Sequence, residues 1–158
     1  MYSNELICNI LIYINDNYKN KISINHLQQK FFYNRYYIMK LFKKEIGISI
    51  TEYINSLRIY KAIKSMEESN QSMLNIALIS GFNSLEYFSE TFKKITGEKP
   101  STIKNYLDNS SKIDDKTYTN ITNSIIKLYN ISKIKKDYLS KRKPINNPIK
   151  SLSIFKNI

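Results

Sequence analysis

The chain has 158 residues, enough for one compact domain or for two small lobes and a tail. Its formal charge of +12 favours partners that are polyanions, and its 42% hydrophobic content excludes a wholly disordered chain. A single cysteine, Cys8, excludes an internal disulfide and a cysteine-rich metal site. We expect Cys8 to be a buried thiol.

No targeting or membrane segment is predicted. The apolar stretch from Leu6 to Ile14 follows Glu5, lacks a basic leader and has no small-residue cleavage site. No apolar run approaches the length of a membrane span. We therefore expect a cytoplasmic protein without membrane contacts.

Three helices are predicted in the first part of the chain. Apolar residues at three- and four-residue spacing predict a helix over residues 3–18. Ser23 is a candidate N-cap for a second helix over residues 24–31. Asn34 caps a third helix, and Gly47 ends it in a left-handed conformation. The inward side chains of the second and third helices are predicted to be Ile24, Leu27, Phe31, Ile38, Leu41, Phe42 and Ile46.

Four more helices follow up to residue 107. Ser49 and Glu52 have the spacing of a capping box, which opens a helix of about 27 Å ending near Met66. The remaining signals are the N-caps Ser72 and either Asn83 or Ser84, the stop at Gly97 and a first-turn proline at Pro100.

The composition changes after residue 108. Residues 1–107 carry 14 basic and 9 acidic side chains, whereas residues 108–158 carry 11 and 4, so the extension is more basic per residue. One helix is predicted over residues 118–139, closed by Lys141-Arg142-Lys143-Pro144. Its apolar side would contain Ile121, Ile125, Leu128, Tyr129 and Ile131.

One pattern occurs twice, fifty residues apart. Tyr37-x4-Phe42-Lys43-Lys44-x2-Gly47 recurs as Tyr87-x4-Phe92-Lys93-Lys94-x2-Gly97. Each copy follows a shorter apolar segment, which together predict a helix, a tight turn and a longer basic helix, as in a helix-turn-helix. The predicted fold is all-α, with two helix-turn-helix lobes (3–48 and 70–107), a linker helix (50–66) and a basic extension (108–158). Two tandem modules indicate double-stranded DNA as the ligand, with recognition helices about 34 Å apart.

The third helix carries the strongest candidate DNA-contacting strip. Its outward side chains are predicted to be Tyr36, Met39, Lys40 and Lys43. Lys40 can donate to guanine O6 and N7 or to phosphate, while Tyr36 and Met39 can contact thymine methyl groups. Arg35 and Lys44 flank the strip at phosphate reach.

The matching strip of the sixth helix is less basic. It consists of Glu86, Ser89, Glu90 and Lys93. Two carboxylates facing phosphates weaken binding, although a glutamate can accept a hydrogen bond from cytosine N4. Glu86 also lies three residues after Asn83, where a capping role is the alternative. Ser84, Ser89 and Lys93 are the favoured contacts in this helix, with Lys94 on the backbone, and we expect the first module to read most bases.

No catalytic constellation is present in the sequence. His26 is the sole histidine, in the first turn of a predicted helix, where a capping or surface role is expected. There is no Cys/His cluster for a metal and no glycine-rich loop for a phosphate, so we expect no cofactor, no metal and no enzymatic activity. Tyr37 and Tyr87 occupy matched positions in the repeat, which predicts a structural role.

Residues 1–107 resemble the DNA-binding domain of the AraC/XylS family of bacterial transcription regulators. The resemblance is most specific in Ile76-Ala77-x3-Gly81-Phe82-x4-Tyr87-Phe88-x3-Phe92-Lys93-Lys94-x2-Gly97-x2-Pro100, and Arg58 and Ala62 also fit the linker helix. It implies seven helices, with the third and sixth in successive major grooves. The family's base-reading positions fall on Tyr36, Met39, Lys40, Leu85, Glu86, Ser89 and Glu90.

The chain also departs from the family pattern. Phe32 stands in the first turn where a glycine is usual, Gln28 replaces a small alanine, and Glu90 replaces a residue that is often basic. The resemblance implies a stand-alone DNA-binding domain, because the first predicted helix begins almost at Met1 and leaves no room for a sensor domain before it.

The sequence is consistent with two functions. The first is a sequence-specific transcription activator that binds DNA as a monomer and, by analogy with the family, contacts RNA polymerase. Its extension would either bind phosphates or dimerise the protein through residues 118–139. The second is an interaction protein that does not bind DNA and holds another regulator or polymerase, a reading that Glu86 and Glu90 favour.

Overall fold

The computed structural model describes residues 3–108 and 114–140, and every regular element within them is an α-helix. The helices are α1 (Ser3–Asn17), α2 (Ile24–Phe31), α3 (Arg35–Ile46), α4 (Ile50–Glu68), α5 (Met73–Ile79), α6 (Leu85–Thr96), α7 (Pro100–Asp108) and α8 (Asp115–Ser140). The all-α prediction is confirmed. The predicted basic closing segment at 141–144 lies outside the described residues. None of the described helices is long and apolar enough to cross a membrane.

Short-range capping explains where most helices begin and end. The Ser23 hydroxyl accepts a hydrogen bond from the His26 N–H at 3.1 Å, and the Ser49 hydroxyl accepts one from the Glu52 N–H at 3.1 Å. Gly47 and Gly97 end α3 and α6 with φ of 91° and 79°, which glycine adopts without steric cost. These predicted end signals are confirmed.

The structure decides between Asn83 and Ser84 as the N-cap of α6. Ser84 is the cap, because its hydroxyl accepts a hydrogen bond from the Tyr87 N–H at 3.2 Å. The prediction that Asn83 pairs with Glu86 in a capping box is therefore wrong. Glu86 lies in the first turn of α6, where its negative charge interacts favourably with the positive end of the helix dipole.

The helices form two lobes, each with its own hydrophobic core. Lobe one consists of α1, α2, α3 and the first half of α4, around the fully buried Ile38, Phe42 and Tyr53. Lobe two consists of the second half of α4 with α5, α6 and α7, around Phe88 and Phe92. Cys8 is buried, as predicted. Because α4 contributes side chains to both cores, it fixes the two lobes to one rigid element.

Arg58 ties the end of α1 to lobe two. Its Nε donates to the Tyr18 carbonyl at 2.7 Å and its Nη2 donates to the Asn20 carbonyl at 2.9 Å. The guanidinium also lies 5.7 Å from the centre of the Phe82 ring, so one side chain joins both lobes at the centre of α4. Burial lowers the pKa of Arg58 from its ordinary value, and the electrostatic interaction with Tyr87 acts in the opposite direction.

The turns of the two helix-turn-helix units are built differently. In lobe two the left-handed residue is Gly81, with φ of 100°, and a Cβ there would lie 2.9 Å from the Lys19 Cα. In lobe one it is Phe32, with φ of 58° and a side chain that is 91% exposed. The predicted departure at Phe32 is confirmed as a non-glycine residue in a conformation that L-residues avoid.

Helix α8 packs across both lobes. Its apolar side chains Ile121 and Leu128 enter the core of lobe two, and Ile131 enters the core of lobe one. Fully burying such a side chain contributes roughly 1.5–3 kcal/mol before entropic costs, so α8 is an integral part of the fold. The helix begins at Asp115, three residues before the predicted start, because the Asp114 carboxylate accepts a hydrogen bond from the Thr117 N–H at 2.9 Å.

The prediction that Tyr129 belongs to the apolar side of α8 is wrong. Tyr129 is exposed rather than buried, and its ring centre lies 6.4 Å from that of Tyr60 on α4. It lies at the margin of the packed side, where the phenol ring covers α4 and the hydroxyl reaches water.

Candidate nucleic-acid interface

Helix α3 is oriented by the side chains that it buries. Ile38, Leu41 and Phe42 lie in the core of lobe one, and the Asn34 side chain fixes the first turn by accepting a hydrogen bond from the Tyr36 N–H at 2.9 Å. The opposite side of the helix is therefore solvent-facing. The predicted strip of Tyr36, Met39, Lys40 and Lys43 is exposed, as are Arg35 and Lys44.

A groove runs along this strip, and we call it the α3 groove. Its α3 wall contains Tyr36, Met39, Lys40, Lys43 and Lys44. The opposite wall is formed by residues at the starts of α2 and α4. These residues are Ile22, Ser23, Ile24, Ser49, Ile50, Thr51 and Ile54. One wall is thus cationic and the other is apolar and hydroxyl-bearing.

Arg35 lies beside the strip and contacts its first residue, Tyr36. Its Nη2 donates to the Tyr36 hydroxyl at 2.9 Å, and its guanidinium lies 4.8 Å from the centre of the Tyr36 ring. This contact holds the phenol of Tyr36 against a cation. Arg35 therefore acts on the orientation of Tyr36 as well as adding charge beside the groove.

The strip of α6 is more mixed. Glu86, Glu90, Lys93 and Lys94 are exposed, Leu85 is 39% exposed, and Ser89 is partly buried. The Ser84 hydroxyl is engaged as the helix cap. This strip and the neighbouring Lys94 carry two carboxylates and two ammonium groups, whereas the charged side chains of the α3 strip are all cationic.

A second groove separates α6 from the start of α4, and we call it the α6 groove. It is lined by Ser49, Thr51, Glu52, Asn55 and Ser56 of α4, by Tyr87, Glu90, Thr91, Lys94 and Ile95 of α6, and by Lys127 of α8. Of the predicted site residues, Glu90 and Lys94 border it. Arg35, Ser84, Leu85, Glu86, Ser89 and Lys93 border neither groove.

The two grooves adjoin at the start of α4, because Ser49 and Thr51 line both. The ion pairs within residues 3–108 and 114–140 are Lys64–Glu67 and Lys104–Asp108. None of the lysines that line the two grooves is held by a carboxylate in this part of the chain, so their charges are available to an external anion.

The matched tyrosines of the repeat pack against their own turns. The Tyr37 ring stacks on Tyr33 at 5.7 Å, and the Tyr87 ring lies 5.7 Å from Phe82. Asn55 Nδ2 donates to the Tyr87 hydroxyl at 3.3 Å, which joins α4 to α6 at the floor of the α6 groove. These contacts agree with the predicted structural role, although both tyrosines remain partly accessible.

His26 forms a small polar cluster away from the two grooves. Its Nε2 and the Tyr13 hydroxyl are 2.8 Å apart, and the two rings stack at 5.6 Å. The surface role predicted for His26 is confirmed. Among residues 3–108 and 114–140, no group of His, Cys, Asp and Glu side chains is arranged to hold a metal ion.

Several groove residues were not identified as site residues from the sequence, among them Ser49, Thr51, Asn55 and Lys127. Ser49 was recognised as a cap but not as a groove residue, and Thr51 and Asn55 lie on the linker helix that was read as a spacer. Their signal was the short distance in sequence from the stop at Gly47, which places the start of α4 beside α3. Lys127 carried no local signal, because its position depends on how α8 packs against the two lobes.

Comparison with known proteins supports the helix-turn-helix arrangement. A family model described as a helix-turn-helix domain matches residues 27–106. The HTH-type transcriptional activator AarP of Providencia stuartii is 31% identical over 100 residues, which are 63% of this chain and 74% of AarP. The multiple antibiotic resistance protein MarA of Escherichia coli is 32% identical over 87 residues, 55% of this chain and 68% of MarA.

A solved structure and a further relative extend the comparison. The C-terminal domain of the two-component response regulator yesN from Fusobacterium nucleatum has a TM-score of 0.58 at 28% identity, covering 66% of this chain and 99% of that domain. AdaA of Bacillus subtilis, described as a bifunctional transcriptional activator and DNA repair enzyme, is 32% identical over 101 residues, 64% of this chain and 48% of AdaA. The relatives are thus regulators, one of them combined with a repair activity.

Proposed function

Because the chain belongs to the AraC/XylS family of helix-turn-helix transcription regulators, we propose that it binds one specific duplex site with both lobes and activates transcription. Helices α3 and α6 enter successive major-groove segments of the same DNA molecule. Its relatives' regulatory activities favour this role over an enzymatic one. A regulator of this kind acts at the chromosome, so the proposal places the protein in the cytoplasm.

The observation that carries the proposal is the pair of adjoining grooves, the α3 groove and the α6 groove. Their linings include the α3 lysines, the start of α4 and, among the proposed α6 contacts, Glu90 and Lys94. When two recognition helices occupy successive major grooves, the sugar-phosphate backbone between those grooves crosses such a surface. The lysines lining it are not paired with protein carboxylates within the described residues, so phosphates can take up their charge.

We assign most base reading to α3. Lys40 donates to guanine O6 and N7, and Tyr36 and Met39 contact thymine methyl groups. The hydrogen bond from Arg35 to the Tyr36 hydroxyl orders that phenol before DNA arrives, which reduces the entropic cost of the contact. Lys43 and Lys44 bind phosphates at the rim of the groove.

Helix α6 makes fewer favourable contacts with DNA. Leu85 and Ser89 offer apolar and hydroxyl contacts, and Glu86 and Glu90 can accept hydrogen bonds from cytosine N4. Lys93 and Lys94 bind the backbone, with the Ser84 hydroxyl close to it at the start of the helix. The two carboxylates restrict the acceptable bases in this half of the site, because a guanine or a thymine leaves them facing acceptors without a donor.

The packing of α8 favours a monomer on DNA. The apolar residues that could have formed a dimer interface are Ile121, Leu128 and Ile131, and they are buried within the chain itself. Dimerisation through that side would require α8 to leave both cores. Contact with RNA polymerase, which activation requires, is assigned to surfaces outside the two grooves.

Selection of bound duplexes from a random pool tests the proposal. We expect one enriched asymmetric motif with two parts about one helical turn apart. Lys40→Ala should weaken binding to the selected site by roughly 10- to 100-fold and relax preference at one position. Lys61→Ala is the matched control, because it removes an exposed lysine of α4 that borders neither groove.

Failure to enrich any motif at moderate salt would overturn the proposal. The alternative of an interaction protein that holds another regulator or polymerase would then be favoured, with Glu86 and Glu90 as its exposed contacts.

A further inference from the structure

The α6 groove is less basic than a DNA-binding surface requires. It is lined by two negatively charged side chains, Glu52 and Glu90, and by two positively charged ones, Lys94 and Lys127. Without Lys127 the groove would carry one more negative than positive charge. A phosphate entering it would then meet net repulsion, because the Debye length of about 8 Å at physiological salt exceeds the spacing of neighbouring side chains.

Helix α8 holds Lys127 firmly at this groove. The adjacent Leu128 is buried in the core of lobe two, and so is Ile121, nearly two turns earlier. The Ser124 hydroxyl donates to the Thr96 carbonyl at the end of α6 at 2.8 Å. These three contacts fix the backbone of α8 relative to α6, so the ammonium group of Lys127 stays within reach of the groove.

The same flank of α8 presents further donors. Residues Asn120, Asn123, Lys127 and Asn130 are spaced by three, four and three positions, which places them on one side of the helix, and all four are exposed. No aspartate or glutamate occurs between residues 116 and 136. This flank therefore offers one ammonium and three amide groups to an anion without a competing carboxylate of its own.

We propose that Lys127 of α8 binds a phosphate of the DNA backbone and supplies the positive charge that α6 lacks at Glu90. This inference rests on the proposed function and adds a DNA contact from outside the helix-turn-helix units. An ammonium group bound to phosphate reads charge and not base identity. Lys127 therefore strengthens binding to all sequences equally, while α3 determines which sequence is preferred.

The salt dependence of binding separates this contact from the rest. Each neutralised phosphate contributes about 0.9 to the slope of log affinity against log salt, so one contact is worth about eightfold in affinity at 0.1 M salt relative to 1 M. For Lys127→Ala we expect a slope smaller by about 0.9 and affinity about eightfold weaker at 0.1 M, with the selected motif unchanged. Circular dichroism melting confirms that the variant is folded.

Lys136→Ala is the matched control. It removes the same charge from the same helix, but nine residues further along, which is two and a half turns and hence the opposite side. We expect it to keep the slope of the unmodified protein.

The outcomes distinguish the two proposals. If the unmodified protein binds the selected duplex and Lys127→Ala has the same slope as Lys136→Ala, the role of Lys127 is refuted and the proposed function stands. If the unmodified protein binds no duplex, both are refuted. A smaller slope for Lys127→Ala alone supports the contact.

Discussion

Replacing Phe32 by glycine should make the protein more stable, although it removes a large aromatic side chain. Phe32 has φ of 58° and ψ of 33°, and a left-handed conformation costs a non-glycine residue roughly 1–2 kcal/mol. Glycine avoids that cost but loses about 0.5–1 kcal/mol through its greater freedom in the unfolded chain. The ring is 91% exposed, so its removal sacrifices almost no buried surface. The net expectation is a gain of about 0.5–1 kcal/mol.

Thermal unfolding followed by circular dichroism measures this gain. For a domain of this size, 0.5–1 kcal/mol corresponds to a rise in Tm of about 1–4 °C. Phe32→Ala is the control, because it removes the ring and keeps the left-handed strain, and its Tm should stay near that of the unmodified protein. The backbone hydrogen bond from the Phe32 N–H to the Gln28 carbonyl at 3.0 Å is retained in both variants.

Two results would refute this reasoning. A Tm of Phe32→Gly below that of the unmodified protein would mean that the ring makes a stabilising contact. An equal gain in Phe32→Ala would mean that the exposed ring, and not the backbone, is responsible. Affinity for the selected duplex should be unchanged in both variants, because Phe32 borders neither groove.

Four further substitutions probe the junction between the lobes, the helix ends and the core. Gly81→Ala should cost roughly 2–4 kcal/mol in chemical denaturation, because φ is 100° and the new Cβ meets backbone atoms at 2.9–3.0 Å, whereas Gly97→Ala, with open space around it, should cost about 1 kcal/mol; equal losses would contradict the close packing. Arg58→Lys should cost about 1–2 kcal/mol, since the single nitrogen of lysine cannot occupy the two donor positions, Nε and Nη2, that contact the two carbonyls, and an unchanged midpoint would contradict that role. Burial raises the pKa of Tyr53 to about 12, so its neutral form stabilises the fold below pH 10 and this contribution, on the order of 2 kcal/mol, is lost as pH rises towards 12. Tyr53→Phe should flatten the fall in unfolding free energy over that pH window, and an equally steep fall would contradict the assignment.

Local chemistry made most helix boundaries predictable. The cap at Ser23 bonds to His26, and the stop at Gly47 bonds to Lys43. Each contact spans about one helical turn, so its geometry depends only on the local sequence. The choice between Asn83 and Ser84 was harder, because both can cap and the path of the preceding turn decides which side chain reaches the helix. At Asp114 the capping signal was present in the sequence, three residues before Thr117, but was not recognised.

Tertiary packing determined what the sequence left open. The strip on α3 could be predicted because it lies opposite the residues that α3 buries. The composition of the α6 groove could not, since Lys127 reaches it only through the docking of α8, more than thirty residues after α6 begins. The same holds for Arg58, whose carbonyl partners lie about forty positions earlier in the chain.

The position of α8 also affects the order in which the protein can assemble during synthesis. Both cores receive side chains from this last described helix, and the Tyr138 hydroxyl donates to the Asn4 side chain at 3.2 Å, joining the two ends of the described chain. Until α8 has emerged from the ribosome, each nascent lobe exposes the apolar surface that α8 will cover. A translational pause before residue 115 would therefore leave two incomplete cores open to chaperones, and an arrested chain would be prone to aggregation.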